Sequence, residues 1–169
     1  MLPIAPPRYP STASEFNLSS SERAVIDILN GLIEACADGA YGFASCADYS
    51  NISQHQALFR QQAQQCMEAG EQLHAQVMRL GGTPTRGGSA SGALHRGWVA
   101  VRGTLSGLRD ESILAECERG ETVALARYQL ALEHTLPADV RGLVQRHKQG
   151  LRTNLGQIRI LRETALGAA

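Results

Sequence analysis

The chain has 169 residues, 43% of them hydrophobic and 19% charged, and its sixteen basic and sixteen acidic side chains cancel. That is about one domain with a single sizeable core and not a disordered chain. The cancelled charge supplies no long-range pull toward nucleic acid or anionic lipid.

Residues 1–18 are rich in Pro and Ser (Pro3, Pro6, Pro7 and Pro10). They read as a flexible tail ahead of a single helical domain over 19–169. The tail has no basic segment leading into an apolar run, as a secretory signal would. No later stretch approaches the roughly eighteen apolar residues of a membrane span. The expectation is a cytoplasmic protein without membrane or nucleic-acid partners.

After residue 20, Ala, Leu, Gln, Glu and Arg dominate and no alternating β-branched run occurs, so every segment reads as helix. The first runs over about 19–48. Ser19 and Glu22 form an S-x-x-E capping box, and Val25, Leu29, Leu32, Cys36, Ala40, Phe43 and Ala47 follow at helical spacing. Within it, Gly39 and Gly42 each cost up to about 1 kcal/mol relative to Ala, which usually means that a neighbouring helix or a second subunit comes close. Glu34 and Asp38 project nearly opposite the stripe. The second helix begins with Ser53 and Gln56 as another capping box and stops at Gly81-Gly82. Its stripe is Phe59, Ala63, Cys66, Gly70, Leu73 and Val77.

A loop over 81–91 leads to a short amphipathic segment, about 92–105, that presents Leu94, Trp98 and Val101. Asp110 caps the next helix, which runs to about 134. Pro137 then restarts the chain in a first helical turn, where its missing N–H costs nothing. The last helix carries Val140, Leu143, His147, Leu151, Asn154, Ile158, Leu161 and Ala165 on one face. Four helices of this length each span roughly 36–45 Å, so the fold is an all-α four-helix bundle. Two tightly joined antiparallel hairpins are linked by about 29 residues, long enough to travel the bundle as the crossover of a ferritin-like topology. The alternative is an up-down bundle with the extra helix docked on it.

The cysteines, Cys36, Cys46, Cys66 and Cys117, form no C-x-x-C pair and sit in helical stretches. They read as reduced, small core residues. Cys36-x-x-Gly39 and Cys117-x-x-Gly120 recur at matching depth in the first and fourth segments, a faint echo between the hairpins.

Polar residues at inward positions carry the functional signal. Glu121 falls within the stripe Leu114, Cys117, Leu125, Tyr128 and Leu132, with Glu118 at its edge, while His147 and Asn154 occupy inward positions of the last helix. A buried carboxylate needs a partner. One reading is a hydrogen-bonded layer in which Glu121 pairs with Tyr128, Asn154 or an arginine, and Glu121→Ala then costs about 1–3 kcal/mol. The other is a site for iron or manganese formed by Glu118, Glu121 and His147. A two-metal centre requires Glu-x-x-His on two helices. Here only Glu71-x-x-His74 matches, and it lies off the apolar stripe of its helix. His95, in Leu94-His95-Arg96-Gly97-Trp98, reads as a surface residue and Trp98 as the anchor of its segment. No Ser-His-Asp arrangement, phosphate-binding glycine loop or basic-aromatic face is present.

The stretches Leu32-Ile33-Glu34 with Asp38-Gly39-Ala40-Tyr41-Gly42-Phe43, Leu80-Gly81-Gly82, Gly92-Ala93-Leu94-His95-Arg96-Gly97-Trp98 and Cys117-Glu118-Arg119-Gly120-Glu121 resemble an uncharacterised bacterial family of ferritin-like four-helix bundles, a domain of unknown function. The resemblance covers about 24–137. It implies the ferritin-like bundle with its crossover and supplies no activity or cofactor. The inward pair Glu118 and Glu121 matches the family pattern, whereas Glu71-x-x-His74 does not.

The expectation is a non-catalytic ferritin-like bundle, a stress-associated or assembly protein with a buried polar layer and no cofactor. An incomplete iron or manganese site is the alternative. Self-association as a dimer is expected through the glycine-bearing face of the first helix, with Tyr41 on its outer side.

Overall fold

A computed structural model describes residues 18–85 and 109–167. Among them four helices carry the chain and no strand occurs: α1 (Ser20–Tyr49), α2 (Ser53–Arg79), α3 (Asp110–Glu133) and α4 (Ala138–Gly167). The expected short helix over 92–105, with His95 and Trp98, lies outside the described residues.

The helix ends follow from local chemistry, in two places differently from expectation. At α1 the Ser19–Glu22 box forms in both directions, satisfying donors that the first turn leaves open. At α2 the expected Ser53–Gln56 box does not form. Ile52 holds the cap position without a side-chain bond, and the Gln56 amide donates to the Ser50 carbonyl at 2.7 Å. Gly81 adopts φ 76°, and the amides of Gly81 and Gly82 donate back to Met78 and Val77, a Schellman stop that favours glycine.

Asp110 is not the cap of α3 but its first helical residue. Arg109 holds the cap position, because the Asp110 carboxylate is drawn across to the α1–α2 corner. Pro137 stands just before α4, its carbonyl accepting from Arg141 N–H at 2.8 Å. The Arg141 guanidinium in turn donates to the Leu132 and His134 carbonyls, closing the end of α3.

Two core clusters fix the topology. One joins Val25, Leu29 and Leu32 of α1 to Leu73 and Val77 of α2, Tyr128 and Ala131 of α3, and Val140 and Val144 of α4. The other joins Phe43 and Cys46 to Phe59 and Ala63, Ile113, Leu114 and Cys117, and Ile158. The start of α1 therefore lies with the ends of α2 and α3 and the start of α4. The chain leaves α2 at one end of the bundle and enters α3 at the other. That is the long crossover, not the up-down alternative.

α1 and α2 approach closely because cysteine faces glycine twice: a Cβ on Gly39 would lie 2.9 Å from Cys66 Sγ, and one on Gly70 would lie 3.4 Å from Cys36 Cβ. Gly39 thus serves the neighbouring helix, and Gly42 is also buried. No helix among the described residues is long and apolar enough to cross a membrane.

Candidate functional site

Among the described residues two clefts flank the waist of the bundle. The first, about 110 Å³, opens between α1 and α3. Its wall is made mostly of small and apolar side chains (Ala35, Gly39, Gly42, Phe43, Gly120 and Ala124). All four cysteines border it. The second, about 380 Å³, lies between α2 and α4, which barely touch, and is lined by polar residues including Gln65, Gln72, His147 and Asn154. Cys66, Tyr128 and Leu151 border both clefts.

Glu121 lies in the wall of the first cleft with 2% of its surface exposed. Neither carboxylate oxygen has a hydrogen-bond partner among the described residues. Burial pushes its pKa up to about 7, and the nearby Asn154 amide pulls weakly the other way. Among the described residues no hydrogen bond of the expected layer closes on Glu121: the Asn154 amide is near enough to favour its charged form, but the candidate partners are engaged elsewhere. Asn154 donates to Gln65 Oε1 at 3.2 Å. The Tyr128 hydroxyl lies 3.3 Å from Cys36 Sγ and 3.4 Å from His147 Nδ1.

The other expected site residues are spread around the bundle. Glu118 sits on the α3–α4 seam, where Arg159 Nε and Arg162 Nη1 each donate to it at 2.8 Å. Those bonds hold its carboxyl below the usual range. His147 lies in the second cleft with Nε2 3.0 Å from Gln72 Oε1. Burial, with Arg146 adding repulsion, lowers its pKa to about 4, so the imidazole is neutral near pH 7. An Nε2–H donating to Gln72 leaves Nδ1 to accept from Tyr128. Glu71 and His74 are both exposed.

Among the described residues no three His, Cys, Asp or Glu side chains gather closely enough to hold a metal ion. The orphaned Glu121 oxygens offer one anionic ligand, and the two arginines on Glu118 occupy the carboxylate that would have to be the second. The residues described do not fit a two-metal centre.

The thiols behave as core groups. All four are free, and burial raises the pKa of Cys36 to about 11 and those of Cys66 and Cys117 well above the ordinary range. A deprotonated, nucleophilic sulfur is thereby disfavoured at these three positions. Asp38, expected opposite the stripe of α1, is half-buried at the mouth of the first cleft, 3.5 Å from Arg127. α1 packs against both α2 and α3, so it buries a wider arc than one stripe.

A polar knot at the far end of the bundle was not anticipated. Asp110 accepts from Ser50 Oγ and the Asn51 amide and lies 3.0 Å from His55 Nδ1, tying the α1–α2 corner to the start of α3. Ser50 and His55 both face the carboxylate, so no serine–histidine relay exists. The signal available in the sequence was His55 itself, four residues before Phe59 and on the same face.

Two solved structures share this fold. A two-domain protein from Anabaena variabilis with DJ-1/ThiJ/PfpI-like and ferritin-like domains matches at TM-score 0.71 and 12% identity, over 89% of this chain. The chain spans 39% of that protein's length. A dodecameric thioferritin, the bacterioferritin-related protein of Bacteroides fragilis, matches at TM-score 0.56 and 17% identity, over 85% of this chain and 90% of its own. No curated protein matches. At these identities the likeness establishes the ferritin-like fold. Residues 24–134 match the model of the family described as "Domain of unknown function (DUF2383)", and the chain belongs to that family.

Proposed function

We propose that this protein is a non-catalytic ferritin-like bundle that works by binding and assembly in the cytoplasm, in a stress-associated or assembly role. The observation that carries the reading is the engagement of Glu118 by Arg159 and Arg162, which leaves Glu121 as a buried carboxyl group with no hydrogen-bond partner among the described residues. Oxidase chemistry on a ferritin-like bundle uses several converging carboxylates and histidines. A single buried carboxyl group in an apolar wall suits ligand binding instead.

Self-association belongs to the same reading, with a two-fold dimer as the smallest assembly. The bacterioferritin-related relative is dodecameric. With Gly39 and Gly42 turned into the bundle, the surface favoured for pairing is the outer side of α3, where Val123 is 46% and Leu130 58% exposed. Leu130→Glu should shift a dimer to monomer in sedimentation at tens of micromolar. A wild type that sediments as a monomer there overturns the assembly reading. Ferrous ion added in air should oxidise no faster with protein than in buffer, and stoichiometric catalysed oxidation overturns the non-catalytic reading.

An iron- or manganese-binding protein is the competing reading, and the orphaned Glu121 oxygens favour it. It requires Glu118 to leave two arginines and His147 to turn away from Tyr128 and Gln72.

A further inference from the structure

The cleft between α1 and α3 is bordered on α1 by Gly39 and Gly42 and on α3 by Gly120 and Ala124. Small residues alone would make only a close helix crossing. Here, however, the wall also holds a carboxyl group that is 2% exposed and bonded to nothing among the described residues. A buried polar group without a partner costs free energy that a ligand supplying the partner would recover. The cavity of about 110 Å³ is smaller than the roughly 150 Å³ that encloses benzene, but it is open on one side, so part of a ligand can project from it.

We propose that this cleft is a binding site for a small uncharged molecule with an apolar body no larger than one aromatic ring and a single carboxamide or hydroxyl head, which bonds to Glu121. The body would lie against Phe43, Ala35 and Ala124, and the head would meet the carboxyl group.

The charges around the cleft select against ionic ligands. The rim cations Arg119 and Arg127 face Glu116 and Asp38, so among the described residues no free cation is offered to an anionic head. A cationic head would have to be desolvated together with an ionised Glu121, and burying both ions is expensive. A neutral carboxylic acid presents one donor and one acceptor side by side, which a carboxamide matches with one of each. Burial keeps Glu121 substantially protonated near neutral pH, which supports this pairing. The site goes beyond the binding role proposed above. It can fail while the bundle remains non-catalytic, and it can hold even if the protein is monomeric.

The test uses benzamide, phenol, toluene and benzylamine as probes of the full-length protein at pH 6.5, followed by calorimetry and by amide chemical shifts. Benzamide and phenol should bind, shifting amides of residues 35–46 and 117–127, with toluene and benzylamine each at least tenfold weaker. Glu121→Leu should reverse the preference in favour of toluene. Gly120→Leu fills the cleft from a position where an added Cβ meets nothing within 4 Å, and it should abolish binding of every probe. The shift map on the wild type needs no variant, so a misfolded substitution leaves the proposal testable. Absence of benzamide and phenol binding at millimolar concentration overturns it, as does equal binding of toluene. Tighter binding of benzylamine overturns the uncharged class, and shifts confined to other helices overturn the site.

Discussion

Replacing Glu121 by Gln gives the structure its most quantitative consequence for stability. The carboxyl is buried without a hydrogen-bond partner among the described residues, and its pKa rises from 4.5 to about 7. Between those values the unfolded chain has released a proton that the folded protein keeps, so stability falls as pH rises through that window. At about 1.4 kcal/mol per pH unit, the loss amounts to about 3 kcal/mol once pH exceeds 7. Below 4.5 both states are protonated and the group contributes no pH dependence. Glutamine keeps the shape and cannot ionise. The variant should therefore match the wild type within about 1 kcal/mol near pH 4.5 and exceed it by up to about 3 kcal/mol at pH 8, roughly 6–12 °C in Tm. Urea unfolding at both pH values measures the difference. A hydrogen-bonded layer predicts the reverse, a loss of about 1–3 kcal/mol on removing Glu121. A difference that is the same at both pH values, or a variant less stable at pH 8, would show that Glu121 is not a carboxyl group held protonated by burial.

His147 carries the opposite slope. Its pKa is lowered to about 4, so its contribution is present above 6.5 and lost as pH falls toward 4, and NMR should find the imidazole titrating near 4, not near 6.5. Asp110 is partly buried, which works against ionisation, but Ser50, Asn51 and His55 hold its carboxyl below the usual range. Asp110→Ala should cost about 2 kcal/mol and speed hydrogen exchange at the start of α2 and α3. Gly39→Ala should destabilise by about 1 kcal/mol despite the better helix former, because its Cβ meets Cys66 Sγ, and the same change in a Cys66→Ala background should be neutral or stabilising. Gly150→Ala, where an added Cβ meets nothing within 4 Å, should stabilise by about 0.5–1 kcal/mol, as thermal unfolding would show.

The bundle was legible because its signals are local. The spacing from Val25 to Ala47, the Ser19–Glu22 box and Gly81-Gly82 each depend on residues within a few turns. The length of the link after Gly82 was enough to favour the crossover. Glu121 was legible as an inward carboxyl because helical periodicity sets direction. Whether it found a partner was not, because that depends on how side chains of other helices are engaged. Asn154 lies close enough to Glu121 to pull its pKa down but donates to Gln65, while Glu118, one turn earlier, meets two arginines from α4. The same limit explains Asp38 and Asp110. Each looked like a surface or cap residue along its own helix, and each is drawn to a neighbour more than fifty residues away.

The proposed function rests on Glu121 being a buried carboxyl group without a hydrogen-bond partner among the described residues, and not a metal ligand. Metal analysis of protein purified without chelator and without a nickel column tests it most directly, with the Glu121→Ala variant prepared alongside. Both proteins should carry substoichiometric iron and manganese and show no rise in Tm when either metal is added. Stoichiometric metal in the wild type, lost in Glu121→Ala together with a metal-induced rise in Tm, would contradict this expectation.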